Sequence, residues 1–428
     1  LCPWTLAILI CTKVAQRFSP AESGNAMLQA GHLKQPSEAE SKAALLKGAA
    51  ALAPHDIGPR DPSGTVDQGQ LIHLTGARSL LSLWILADHF AHRASVLTDR
   101  ANVAVNCFIM MSGFVTQWAY GSRDLSRCGS VSQFLVRRLG RVALTTYVAM
   151  LGATALLSIT ATVPTARHLL RCLLFVEPWI APENWCPDGQ SWTIAALIPS
   201  WLLFPLTSRA LASLQRHHGL RGLLLTFMVL WSISVGPSLL IFYLQGHITN
   251  VQHNLAYVWP PSQMPDFLLG MIAAMIAKRH AHMAESDGQR GFVADVMLIL
   301  VFSAVLLIPS SGYHEGWEPL FNHGLAPLLA IYFYGSAAAQ GAGLSAYLLT
   351  LPPLAQVGKY SFEVFLFQQP LFSAFEILWI GGLNEVLPKW VLAVAFMVTL
   401  YLLSGLYAEL IEAPFVKCLR DRTSNWSW

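Results

Sequence analysis

Charge is what this 428-residue sequence has least of: Asp, Glu, Lys and Arg together make up 12% of it, where a soluble globular chain carries about a quarter. That shortage excludes a solvated, charge-rich disordered chain and fits an ordinary soluble enzyme poorly. The seven cysteines include no CxxC pair, which argues against a zinc module or a dithiol redox motif, and no metal site is expected. A net charge of +3, with basic residues scattered in patches, gives no reason to expect a nucleic-acid partner. Neither a repeat of fixed period nor a strand-like alternation runs through the chain. It starts at Leu1 rather than Met, so it reads as a fragment or a processed product, and the apolar run at 6–11 leaves open a signal remnant.

What is present in excess is apolar: 54% hydrophobic residues and a mean hydropathy of +0.47. The 14 Trp and 11 Tyr suit a protein with two membrane interfaces. Residues 1–70 differ from the rest. From 12 onward they are rich in Ala, Ser, Gly, Pro, Glu and Lys, and read as a disordered polar N-terminal extension. Beyond them apolar runs recur at about 79–97, 102–120, 142–162, 191–208, 222–244, 266–277, 292–310, 324–340, 354–380 and 390–411. A helix needs about 20 apolar residues to span a bilayer. The expectation is an all-α polytopic membrane protein: about ten transmembrane helices in one bundle over 71–416, and a short tail at 417–428.

The charges between the runs sort by side. Alternate breaks carry Arg123, Arg127, Arg137, Arg138 and Arg141, then Arg209, Arg216 and Arg221, then Lys278, Arg279 and Arg290, then Lys359, then Lys417, Arg420 and Arg422. The opposite set holds little beyond Arg100, Arg167, Arg171 and Lys389. The positive-inside rule then puts both termini in the cytoplasm. It leaves the Asn425 sequon on the unglycosylated side, and makes 163–190 a long loop on the far side, where Cys172 and Cys186 could pair or Cys172 could lie in an apolar helix.

The first run holds Arg78, Asp88, His89 and His92, and ionisable residues inside a span are functional candidates by default. Arg78 and His89 are eleven residues apart, close to three turns, so they share a face about 16 Å apart along the axis. Ser82 and Ile85 lie between them on that face, while Asp88 points about 100° away. A guanidinium at the mouth can grip a phosphate-bearing donor. A buried neutral imidazole can take a proton from an acceptor hydroxyl. The plainer reading is a snorkelling Arg and an interhelical His hydrogen bond.

Several motifs then follow in order: Leu74-Thr75-Gly76-Ala77-Arg78 with His89; Val103 through Asn106, Phe108 and Ser112-Gly113-Phe114; Arg137, Arg138 and Arg141; Ser191-Trp192-Thr193 through Leu203-Phe204-Pro205; Pro265-Asp266-Phe267-Leu268-Leu269-Gly270-Met271; Gly358-Lys359-Tyr360-Ser361 through Leu366; and Glu412-Ala413-Pro414-Phe415. In this order the chain resembles the acyltransferase 3 family of integral membrane acyltransferases, over roughly 70–416. The resemblance implies a ten-helix core that moves an acyl group, acetyl in the first instance, from cytoplasmic acyl-CoA to a hydroxyl of a carbohydrate, lipid or small molecule. Acyl-CoA is then a co-substrate, and no bound cofactor is expected. The family's Arg and His carry over to Arg78, positioning the donor, and His89, the general base. Arg137, Arg138, Arg141, Ser112, Trp192 and Asp88 are expected at the substrates.

The chain departs from the family pattern at three carboxylates, where it has Thr75, Asn106 and Leu197. Two other readings therefore stay open: a non-catalytic paralogue that binds a lipid or a partner, and a transporter using Asp88, His89 and His92 as a proton relay. Asp266 and Glu412, each near a Pro at the end of an apolar run, read equally as interfacial caps, and His247, His253, His314 and His323 as loop residues. Glu363, Gln368 and Gln369 are expected to face the bundle, and Gln368 stands near a position where many relatives have His.

Overall fold

A computed structural model of the chain describes residues 71–90, 100–159, 163–281, 287–308, 319–378, 389–424 and 426. The N-terminal extension, His92, His314 and the Asn425 sequon fall outside these residues. Most of the described residues are helical, and there is no strand among them. The principal helices are α1 (Ile72–Phe90), α2 (Asn102–Tyr120), α3 (Cys128–Ile159), α4 (Ala166–Leu173), α5 (Ser191–Gln245), α6 (Asn250–Tyr257), α7 (Pro260–His280), α8 (Asp287–Leu307), α9 (Ala326–Ala338), α10 (Ser361–Leu378), α11 (Lys389–Tyr407) and α12 (Ala413–Thr423). Single π-helical turns, Leu320–Gly324 and Ala408–Glu412, precede α9 and α12.

Most described residues of the ten apolar runs are helical, but the run at 354–380 is divided at Tyr360 between the helices Pro352–Lys359 and Ser361–Leu378. By length and apolarity alone, four helices among the described residues can cross a membrane: Cys128–Ile159, Ser191–Gln245, Asp287–Leu307 and Val391–Thr423. Large apolar side chains stand exposed on them, such as Leu225, Ile233 and Leu240 on α5 and Ile299 and Leu306 on α8, an outward apolar face suited to lipid.

Two boundaries differ from expectation with consequences for the site. α1 begins at Ile72, seven residues before 79, and its described part ends at Phe90. That puts Arg78 two turns inside the helix and His89 in its last turn. α3 begins at Cys128 rather than 142, so Arg137, Arg138 and Arg141 lie on a helix, not in a loop. α12, Ala413–Thr423, takes in the start of the tail at 417–428.

α5 contains two antiparallel limbs. Gly219 within it has φ +60° and ψ −147°, a region open to glycine. Thr207 reaches Met271 Sδ at 3.9 Å and Ser234 reaches Asp266 Oδ1 at 3.2 Å, both on α7. A straight helix would hold Thr207 and Ser234 about 40 Å apart, so the chain reverses at Gly219.

The centre of the bundle is α2 against α7. A Cβ on Gly113 would sit 1.9 Å from the Phe267 carbonyl oxygen, and one on Gly270 would sit 1.9 Å from that of Met110. These reciprocal glycines let the two backbones touch, as small residues do in membrane helix pairs. Phe114, Phe204, Phe267 and Phe333 fill the surrounding core. The loop at 163–190 is stapled: Cys172 and Cys186 form a disulfide, although Cys172 is also helical, on α4. Thr165 caps that helix by accepting from the His168 N–H.

Candidate functional site

α1 joins two polar clusters. At the Arg78 end, three guanidiniums meet two carboxylates. Arg78, half-buried, lies within electrostatic reach of Arg138, Arg141 and Glu363. Arg141 Nε donates to Glu412 Oε1 at 2.6 Å, and Arg141 Nη2 lies 3.7 Å from Glu363 Oε1. Thr145 Oγ1 donates to the second Glu412 oxygen at 2.7 Å and accepts from the Tyr407 hydroxyl at 3.3 Å. Arg138 Nη2 donates to Ser112 Oγ at 3.2 Å, and Trp201 Nε1 donates to the same oxygen at 3.3 Å. The Arg138 guanidinium also lies 4.9 Å from the centre of the Trp201 ring. Three cations against two anions leave an excess of positive charge suited to phosphate.

Arg137 is turned elsewhere. Its Nε donates to Thr423 Oγ1 at 2.8 Å and its Nη2 to the Arg420 carbonyl at 3.1 Å, which ties α12 to α3. Adjacent residues on a helix diverge by about 100°, so Arg137 and Arg138 serve different neighbours.

At the other end, His89 Nδ1 lies 3.2 Å from Gln368 Oε1 and 3.5 Å from Gln190 Nε2. Both glutamines are buried, but His89 is exposed. The expected burial of the imidazole is therefore corrected: His89 is exposed, near the end of the described part of α1. Half-buried Asp88 is its neighbour on α1. Trp192, buried on the first turn of α5, packs on Tyr257 with ring centres 4.8 Å apart, two residues from Gln190. Just before α5, Asp188 is fully buried, with the Gln190 backbone N–H as a nearby donor. Burial holds its carboxyl well above the usual range.

α10 links the clusters, with Glu363 at the arginines and Gln368 at the histidine. Of the three positions that depart from the family pattern, Thr75 places its carbonyl oxygen against Gly358, 1.8 Å from where a Cβ would be. The Asn106 amide is buried without a hydrogen-bond partner among the described residues, and Leu197 packs at the edge of the core.

Sequence reasoning underrated a third group. His323 Nδ1 and Asp266 Oδ2 lie 2.9 Å apart, both side chains fully buried. Ser234 Oγ donates to Asp266 Oδ1 at 3.2 Å, and His323 Nε2 lies 3.1 Å from the Ala256 carbonyl. Both imidazole nitrogens face oxygens. The pair anchors α6, which carries Tyr257, to the bundle. His323 comes from the π turn, and nothing in its sequence neighbourhood signals that turn. Glu412 was likewise more than a cap, and Trp201 was missed, although it lies within the Trp192–Pro205 segment.

The sequence matches the acyltransferase domain of the acyltransferase 3 family over residues 71–409. Acyltransferase MdmB of Streptomyces mycarofaciens is 23% identical over 393 residues, 82% of this chain and 93% of its own length. O-acetyltransferase OatA of Staphylococcus aureus (strain NCTC 8325 / PS 47) is 22% identical over 363 residues, 81% of this chain but 57% of its own length. No solved structure matches. With four-fifths of its length accounted for, the chain belongs to the acyltransferase 3 family and is a multi-pass membrane acyltransferase.

Proposed function

We propose that the protein transfers an acyl group, acetyl in the first instance, from cytoplasmic acyl-CoA to a hydroxyl of a carbohydrate, lipid or small-molecule acceptor. The observation that carries this reading is the placement of Arg78 and His89 at two polar clusters joined by one helix, about 16 Å apart along its axis. Arg78, Arg138 and Arg141 would hold the phosphates of the nucleotide portion. The long pantetheine arm would carry the thioester toward His89. There the imidazole would take the proton of the acceptor hydroxyl, the oxygen would attack the thioester carbonyl, and the CoA thiolate would leave and be protonated. Arg141, fixed between Glu363 and Glu412, would keep the anion site rigid before the donor arrives, which lowers the ordering cost of binding. The O-acetyltransferase name of one relative supports acetyl and a hydroxyl acceptor.

The test is acyl transfer from radiolabelled acetyl-CoA into native membranes carrying the protein. General base catalysis contributes about 10²–10⁴-fold. His89→Ala, expressed at the wild-type level, is expected to lose at least the lower end of that range. Undiminished transfer by His89→Ala removes His89 from the mechanism. A wild-type protein that binds acetyl-CoA and transfers nothing favours the non-catalytic reading.

A further inference from the structure

We infer that Gln368 and Gln190 are positioning residues that hold Nδ1 of His89 as a proton donor, which makes Nε2 the atom that takes the acceptor's proton. The inference rests on the reading of His89 as general base and adds which ring atom acts and what orients it.

The amide of Gln368 has one orientation. Its Nε2 donates to the Phe365 carbonyl at 2.8 Å, and reversing it would set two oxygens against each other. Oε1 is therefore the end that faces His89, at 3.2 Å from Nδ1. An amide oxygen only accepts, so Nδ1 carries the hydrogen. A neutral imidazole has one N–H, and its lone pair is then on Nε2.

Gln190 strengthens the same edge. As placed, its Nε2 stands 3.5 Å from Nδ1, donor against donor, while its Oε1 is buried without a partner among the described residues. Amide oxygen and nitrogen are assigned from the hydrogen-bond network. Half a turn about the terminal bond gives Nδ1–H a second acceptor in place of a facing donor. Gln190 is itself fixed at the start of α5, where its backbone carbonyl accepts from Thr193 Oγ1 at 2.9 Å. Two buried amides thus grip one edge of an otherwise exposed side chain. Neither is a useful base, so the proton does not pass on through Nδ1. It moves from the hydroxyl to Nε2 as the oxygen attacks the thioester carbon. The carbon–sulfur bond breaks, and the departing thiolate takes that proton, returning His89 to its starting tautomer.

The test measures initial rates in native membranes against the concentration of radiolabelled acetyl-CoA, with the membrane's own acceptors. Gln368→Leu is expected to lower the maximal rate 10- to 100-fold while leaving KM for acetyl-CoA within twofold. Gln368→Glu, which keeps an acceptor oxygen at the same reach, should recover most of that loss. Gln190→Leu, on the second side of the clamp, should cost about 3- to 10-fold, again in rate and not KM. If His89→Ala is inactive while Gln368→Leu and Gln190→Leu turn over at the wild-type rate, or while Gln368→Glu falls as far as Gln368→Leu, the clamp is refuted and the base stands. If His89→Ala keeps the wild-type rate, the base itself is refuted, and the clamp with it.

Discussion

Single side chains in this protein matter through what burial does to their charge, and Asp188 is the clearest case outside the apolar helices. An acid whose folded pKa lies above its unfolded value of about 3.9 binds more protons in the folded state. Stability is therefore lost as pH rises from the unfolded pKa toward the folded one, and the full cost is present above it. Asp188→Asn removes that cost. We expect it to raise the thermal midpoint in detergent more at pH 8 than at pH 5, and an equal shift at both would mean the carboxyl is not held up by burial. The sequence pointed to Arg78 and His89 at this scale, because an eleven-residue spacing on a helix fixes a shared face. It hid the partners. His323 and Asp266 are 57 residues apart, and Gln368 is 279 residues from His89. Pairing across helices depends on which helices are neighbours, and local periodicity does not carry that.

At the scale of elements, close packing and a covalent staple do the work. α2 was legible to the residue, because an unbroken apolar run between Arg100 and Arg123 leaves one placement. The reversal at Gly219 was legible only as a gap between two runs, since a hydropathy pattern says nothing about a backbone angle. α3 was read as starting too late because its first turns carry arginines that hydropathy counts as loop. Gly113→Leu places side-chain atoms where the Phe267 backbone already is, and is expected to abolish recovery of folded protein from mild detergent, read as loss of the monodisperse peak. A small change, Gly189→Ala, meets nothing within 4 Å and should leave that peak intact. The Cys172–Cys186 bond closes a loop of sequence separation 14, for which chain entropy assigns about 3 kcal/mol. Cys172→Ser should therefore lower the thermal midpoint, and a reducing agent should do the same to the wild type while leaving the variant unmoved.

For the whole molecule, the positive charges that sort by side imply a single orientation. Labelling of introduced cysteines from outside intact cells should reach residue 183 in the stapled loop and miss residue 216 beside the Gly219 reversal. The opposite pattern would invert the assignment of the arginine cluster to the cytoplasm. That assignment is what makes a cytoplasmic donor reasonable, and it joins the two ends of α1 into one account: anion binding at Arg78, proton transfer at His89. The most direct measurement of that division is acetyl-CoA affinity and turnover on the same purified preparations of wild type, Arg78→Ala and His89→Ala. The account predicts that Arg78→Ala weakens acetyl-CoA binding about 10-fold or more, and that His89→Ala binds acetyl-CoA as the wild type does while transferring at least 100-fold more slowly. Wild-type affinity in Arg78→Ala together with wild-type turnover in His89→Ala would contradict it.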